Sequence, residues 1–196
     1  LPHLCYKPAP GYRADGNCRA CMVEIKGERV LAASCIRTPT PGMKVMTEAE
    51  RAVKAREMVM ELLLADQPSR DKAHNDDSHF WHMADAVGVD KSRFPSRKMP
   101  PADNSHPAMS VQLDACIQCG LCTRACREVQ VNDVIGMAFR GAESKIIFDF
   151  DHPMGDSTCV ACGECVQACP TGALMEATRV DEKGRGSIKA DSKVDS

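Results

Sequence analysis

Aromatic side chains are scarce: 4% of 196 residues, with a single tryptophan, Trp81, two tyrosines and five phenylalanines. A chain so short of large apolar groups builds a thin core, and its loops call for some other cross-link. No apolar run approaches the roughly 20 residues that span a bilayer, which speaks against membrane insertion. The formal charge of −2 carries no basic surplus of the kind a nucleic-acid partner demands. Also missing are the glycine patterns of dinucleotide and phosphate loops, the HExxH pair, and a persuasive nucleophile beside a base. Chemistry on an organic substrate therefore has no candidate residues here. Finally, no cysteine occurs from Ile36 to Ala115, although the rest of the chain carries twelve.

Those twelve are the informative residues. Cys116, Cys119, Cys122 and Cys126 are repeated in spacing by Cys159, Cys162, Cys165 and Cys169, with Pro170 closing the second run. CxxCxxCxxxC, twice, is the ligand run of bacterial ferredoxins that hold two [4Fe-4S] clusters. The first three thiolates of a run suit three corners of a cubane, and the fourth reaches across to the other cluster. The expectation is one [4Fe-4S] cluster on Cys116, Cys119, Cys122 and Cys169, and a second on Cys159, Cys162, Cys165 and Cys126. Gly120 and Gly163, each following the second cysteine of its run, are expected to let the backbone bend closely and aim amides at sulfur. Zinc and disulfides explain the pattern less well. Zinc sites usually pair two CxxC knuckles across a longer stretch, and disulfides need an oxidising compartment and unstrained partners. Twelve cysteines without a signal peptide favour a reducing, cytoplasmic setting.

A third set, Cys5, Cys18, Cys21 and Cys35, has enough thiols for a [2Fe-2S] cluster, although plant-type ferredoxins space the first pair more tightly. The insert between Cys5 and Cys18 is rich in turn formers (Pro8, Pro10, Gly11, Asp15, Gly16, Asn17) and reads as a loop wrapped around the cluster. Zinc remains open as an alternative for this set, since four cysteines with one close pair carry less information.

Elsewhere the pattern predicts a hairpin, Met22 to Ile25 and Arg29 to Ala33 around Lys26-Gly27-Glu28. A helix is expected from about Glu48 to Ala65, opened by a Thr47–Glu50 capping box. It has an apolar stripe of Ala49, Ala52, Val53, Met60, Leu63 and Leu64, with Arg51, Lys54 and Arg56 on a solvated face. A second helix should run from His79 to Val87, with Ser78 as cap and Gly88 as terminator. Four prolines between Phe94 and Pro107 read as a linker separating two cluster domains. Short helices are expected at Leu121 to Val129 and Glu164 to Ala168, and strands near Lys145 to Phe148 and Leu174 to Glu176. Beyond Val180 the chain is polar and expected to be mobile or extended on a neighbour.

The stretch GNCRACMVEI with a later AASC resembles the [2Fe-2S] domain of the complex I large subunit and of related hydrogenase and formate dehydrogenase subunits. With DACIQCGLCTRACREVQVNDVIG and STCVACGECVQACPTGAL, the chain most closely resembles the amino-terminal portion of the alpha subunit of soluble, NAD-dependent, molybdenum or tungsten formate dehydrogenases. The fold class implied is α+β. It comprises a partial ferredoxin-like [2Fe-2S] domain (1–46), a helical connector with a Pro-rich linker (47–109), a bacterial 2×[4Fe-4S] ferredoxin-like domain (110–180) and a polar tail (181–196). The resemblance implies a relay through one [2Fe-2S] and two [4Fe-4S] clusters. Its ends would be a molybdopterin guanine dinucleotide site with Mo or W, in the remainder of the catalytic alpha subunit, and diaphorase subunits binding FMN and NAD.

Three departures from the family stand out. The chain starts four residues before Cys5, where the family has a hairpin and a helix, and it stops at Ser196, where the family continues into further motifs; it reads as a fragment of something longer. Complex I and hydrogenase relatives also place a His-plus-three-Cys cluster between the two regions, for which this chain supplies only His74, His79 and His82. Packed or surface roles are expected for those histidines. Two other readings stay in view: an iron–sulfur, diaphorase-type subunit of an NAD-reducing hydrogenase or complex I-like enzyme, and a zinc-organised interaction module.

Overall fold

A computed structural model describes residues 1–181 and Gly186. The polar tail expected at 181–196 lies outside the described residues save Asp181 and Gly186, and Gly186 is buried against His74, donating its N–H to the ring Nδ1 at 3.0 Å.

Alternating burial in Met22–Ile25, with Val23 and Ile25 inward, makes β1 the central strand of a small antiparallel sheet. The predicted hairpin forms, but its return strand β2 is only Ala32–Ala33, paired with Val23 and Met22. The carbonyl of Arg29, which a longer strand would use in the ladder, accepts from Arg51 of the first helix instead. The second half of β1 pairs on its other edge with β3, Val45–Met46, an exposed two-residue strand with too short a pattern to read in sequence.

Helix α1 spans Glu50–Leu64, and its Ala52, Arg56, Met60 and Leu64, four apart, form the buried face. Two expectations fail here. The flanking residue is Ala49 and no side chain caps the helix, so Thr47 and Glu50 make no capping box. Arg56 is not on a solvated face: it is 6% exposed and donates Nη1 to the carbonyls of Met22 and Thr47 at 3.2 and 2.6 Å, tying helix to sheet. Its methylenes extend the stripe while the guanidinium satisfies backbone acceptors, which charge patterning alone does not reveal. Met60 is fully buried, and Met60→Ala is expected to lower unfolding free energy by about 2–5 kcal/mol, read as a shifted denaturant midpoint.

Helix α2 runs His79–Val87 as predicted and buries Phe80, Trp81 and Ala84. It stops because Gly88, at φ +79°, turns its N–H to the carbonyls of Ala84 and Asp85. The Ser78 hydroxyl, expected as a cap, makes no cap bond, and it is buried without a partner among the described residues.

The Pro-rich stretch is a strap, not a free spacer. Arg97 pairs with Asp66 at 3.1 Å and donates to the carbonyls of Ala142 and Ser144, while Asp103 and Val111 exchange two backbone hydrogen bonds of 2.9 Å. Beyond it, β4 (Met109–Val111) pairs with β7 (Leu174–Glu176), and β5 (Ile135–Ala138) with β6 (Lys145–Phe148), all antiparallel. Between them lie α3 (Leu121–Arg124) and α4 (Glu164–Ala168), in contact with each other. The helix expected to reach Val129 widens after Arg124 into a π turn, Ala125–Val129, which carries Cys126. Buried residues form one continuous cluster in which Leu4, Met60, Phe80, Val111 and Met154 are joined by thiols from all three cysteine sets. Few aromatics suffice because sulfur occupies much of the interior.

Candidate iron–sulfur sites

The second half of the chain folds its eight thiols around two clefts. Cys116, Cys119, Cys122 and Cys169 line one, roofed by Ile146, Pro170 and Leu174; Cys126, Cys159, Cys162 and Cys165 line the other, beside Met109 and Ile135. Each cleft thus takes three thiols from one run and the last from the other. Among the described residues no three His, Cys, Asp or Glu side chains converge tightly enough to share a single ion. The thiols ring a space instead of meeting at a point.

Backbone conformation explains how. Gln118 and Ala161, each preceding the second cysteine of its run, are left-handed at φ +53° and +57°, and Gly120 and Gly163 follow at +75° and +77°. Non-glycine residues pay about 1 kcal/mol or more for that region, so both runs store the same strain. What it achieves is an inward amide: Gln118 N–H points at Cys116 Sγ and Ala161 N–H at Cys159 Sγ, both at 3.4 Å. The fourth thiols are served alike, Cys126 by the amide of Val134 at 3.3 Å and Cys169 by that of Leu174 at 3.5 Å. The close bend expected at Gly120 and Gly163 forms, both being left-handed where they open α3 and α4. Within the runs, amides that reach sulfur include those of Gln118 and Ala161, which no residue-type signal marks. The repeat of spacing was the only available clue.

The amino-terminal set is gathered too. Cys18 donates its N–H to Cys5 Sγ at 3.4 Å, and the thiols of Cys5 and Cys18, like those of Cys21 and Cys35, are close enough to perturb one another. Amides of Gly16, Asn17, Cys18 and Ala20 reach thiols of the set, so the turn-rich insert does wrap them. The Cys5 thiol is pulled down, first by the Cys18 thiol and against its burial, while Cys18 is pushed up by the same contact. Burial raises Cys35 and Cys165 to about 12 and Cys116 to about 11, and drives Cys119 and Cys122 higher. Desolvated, close-packed thiols of this kind repel one another as thiolates and suit a cationic centre that neutralises them. Four sulfurs per group, amides aimed inward and no acidic side chain among the donors fit iron–sulfur clusters.

The three groups differ in exposure. Cys119, Cys122 and Cys126 are buried, as are Cys5, Cys18 and Cys21, whereas Cys162 is exposed. The groups also adjoin across the lobes. Asn17 donates Nδ2 to the Cys119 carbonyl at 3.2 Å, Tyr12 donates its hydroxyl to Glu164 at 2.7 Å, and Phe80 of α2 donates its N–H to Pro170 at 2.9 Å. The lobes expected to be held apart by a linker are bolted together.

The histidines join none of the thiol groups. His74 is buried, its Nε2 2.7 Å from Asp114, His82 contacts Asp77 at 2.7 Å, and His79 Nε2 donates to the His3 carbonyl at 2.7 Å. Burial lowers the pKa of His79 below the ordinary 6.5. A depressed histidine stabilises fully above 6.5 and loses that contribution as pH falls through its folded value. His79→Gln is accordingly expected to flatten the decline in thermal stability between pH 7 and pH 5.5, measured by circular dichroism.

Fold and thiol geometry define an iron–sulfur electron-transfer module, and comparison with known proteins agrees. Residues 1–50 match the family described as a 2Fe-2S iron-sulfur cluster binding domain, and residues 115–173 the 4Fe-4S dicluster domain. Of the relatives, the NADP-reducing hydrogenase subunit HndD of Solidesulfovibrio fructosivorans is 33% identical over 90% of this chain and 31% of its own length. The mitochondrial NADH dehydrogenase [ubiquinone] iron-sulfur protein 1 of Solanum tuberosum is 34% identical over 100% of this chain and 26% of its own. A Staphylococcus haemolyticus protein named "Putative formate dehydrogenase" is 27% identical over 98% and 19%. The chain therefore spans about a third or less of these relatives, all named for oxidoreductases. A chain in the crystal structure of NAD+-reducing [NiFe]-hydrogenase in the H2-reduced state superposes with a TM-score of 0.80 at 29% identity, over 90% of this chain and 75% of that one. Among the described residues no helix is long and apolar enough to cross a membrane.

Proposed function

We propose that the chain is the electron-relay segment of an NAD-dependent formate dehydrogenase. In this reading residues 1–46 hold a [2Fe-2S] cluster on Cys5, Cys18, Cys21 and Cys35, residues 47–109 connect, and residues 110–180 hold two [4Fe-4S] clusters. The first uses Cys116, Cys119, Cys122 and Cys169, the second Cys159, Cys162, Cys165 and Cys126. Such clusters supply one-electron transfer when bound, and the chain's own residues fix their spacing, exclude water and direct amides at sulfur. Molybdopterin guanine dinucleotide with Mo or W, FMN and NAD belong to the rest of the enzyme and its diaphorase partners, in a cytoplasmic setting.

The observation that carries the relay is the pair of crossed clefts, with the Cys5 group bolted beside one of them through Asn17 and Cys119. The exposure of Cys162 supports the second cleft as the place where electrons exchange with a neighbour. Formate as donor is favoured by the absence of cysteine between Ile36 and Ala115 and by the separate partners of the three histidines, which leave no His-plus-three-Cys site. The fold likeness to the [NiFe]-hydrogenase chain favours a second reading, an iron–sulfur subunit of an NAD-reducing hydrogenase or complex I-like enzyme. Anaerobically purified complete enzyme, assayed with formate, hydrogen and NADH as donors, separates the two. Iron and acid-labile sulfide with reducible EPR signals are expected; a colourless, zinc-replete protein would refute the relay.

A further inference from the structure

Arg124 is 3% exposed at its side chain, a buried cation between the amino-terminal cysteine loop and the helix of the Cys116 run. It donates Nη2 to the Cys5 carbonyl at 2.7 Å, Nη1 to the Arg13 carbonyl, and Nε to the Gly120 carbonyl at 3.3 Å. Its ion-pair partner is Asp15 Oδ2 at 3.2 Å, whose carboxylate is also shared with Arg13 at 3.6 Å. A buried guanidinium persists only when its donors are satisfied, and here backbone carbonyls from both lobes do much of that work. The charge is therefore desolvated, shares Asp15 with Arg13, and lies with Nη2 2.7 Å from the Cys5 carbonyl.

We propose that Arg124 is a positioning residue that seats the Cys5–Cys21 loop against the Cys116 run and raises the reduction potential of the centre held by Cys5, Cys18, Cys21 and Cys35. This rests on the relay reading above. Reduction adds one negative charge to the centre, and a nearby cation in a low-dielectric surround favours the more negative state. The guanidinium holds the carbonyl of Cys5, a residue whose own thiol belongs to the set, so its charge acts at the edge of the centre. Asp15 opposes it, so the two side chains should move the potential in opposite senses. Asn17 to Cys119 and Tyr12 to Glu164 hold the loop independently of Arg124, which lets the charge be changed without losing the interface.

The test is an EPR-monitored redox titration of the complete, anaerobically purified enzyme and its Arg124→Met, Arg124→Lys and Asp15→Asn variants. Expected are a lower [2Fe-2S] midpoint for Arg124→Met, a higher one for Asp15→Asn, and a value for Arg124→Lys nearer to wild type than to Arg124→Met. Shifts of Arg124→Met and Asp15→Asn in the same direction, as loosened packing would give, or no shift in either, would overturn the assignment. Should Arg124→Met fail to retain the centre, Asp15→Asn decides: a raised midpoint supports the proposal, and an unchanged or lowered one defeats it. Loss of the [2Fe-2S] signal in the wild type would instead remove the relay reading itself.

Discussion

Cys169→Ser is expected to empty the site of Cys116, Cys119 and Cys122 and to spare that of Cys159, Cys162 and Cys165, its neighbours in sequence. The reason is spatial: Cys169 leaves α4 in extended conformation, and its thiol lines the Cys116 cleft under the Leu174 amide. A cubane that loses one thiolate loses a corner iron first, and in a desolvated cleft a serine hydroxyl is a poor substitute. Iron should fall by up to about four atoms per chain, one cubane's worth. A double-mutant comparison identifies the site. Adding Cys116→Ser should remove little more, whereas adding Cys159→Ser should remove about four further atoms if each cleft holds a cubane. The reverse result would establish uncrossed ligation.

Ala161→Pro should abolish the centre of the Cys159 cleft, and Ala161→Gly should leave it intact. Proline locks φ near −65° and has no N–H, whereas Ala161 sits at φ +57° and directs its N–H at Cys159 Sγ. Both the path of the loop and its amide are lost together. Glycine keeps the amide and relieves the left-handed strain, offset by its larger unfolded-state entropy. The readout is iron content with the low-temperature EPR of the reduced enzyme; a proline variant with full iron and unaltered signals would show that this turn does not shape the site. Gln118→Pro is the symmetric experiment on the other cleft.

How much of this was legible varies by element. Helix α2 was readable to the residue because two local signals, apolar period and a left-handed glycine stop, agree there. Strands β6 and β7 match their sequence bounds, whereas β4, β5 and β3 went unread. β5 carries a glycine, and the others are two or three residues long, so their pairing is imposed by partners and not by propensity. Arg56 was misassigned to a solvated face, and the anchoring role of Arg97 went unread, for one reason. A buried guanidinium satisfied by carbonyls looks, in sequence, identical to one in water.

By itself the sequence determined the class of this protein, an iron–sulfur electron-transfer module, through the repeated spacing of its thiols. The size of an inorganic core dictates the step between thiols along a single loop, and that constraint is written locally, in spacing and turn formers. Only the tertiary structure decided which loop lies against which, and so where the Cys5 group meets the Cys116 run. That choice belongs to Asn17, Tyr12 and Arg124, ordinary polar residues whose partners lie more than 100 positions away. Their contribution arises when both partners are desolvated together, an event that no periodicity or composition records.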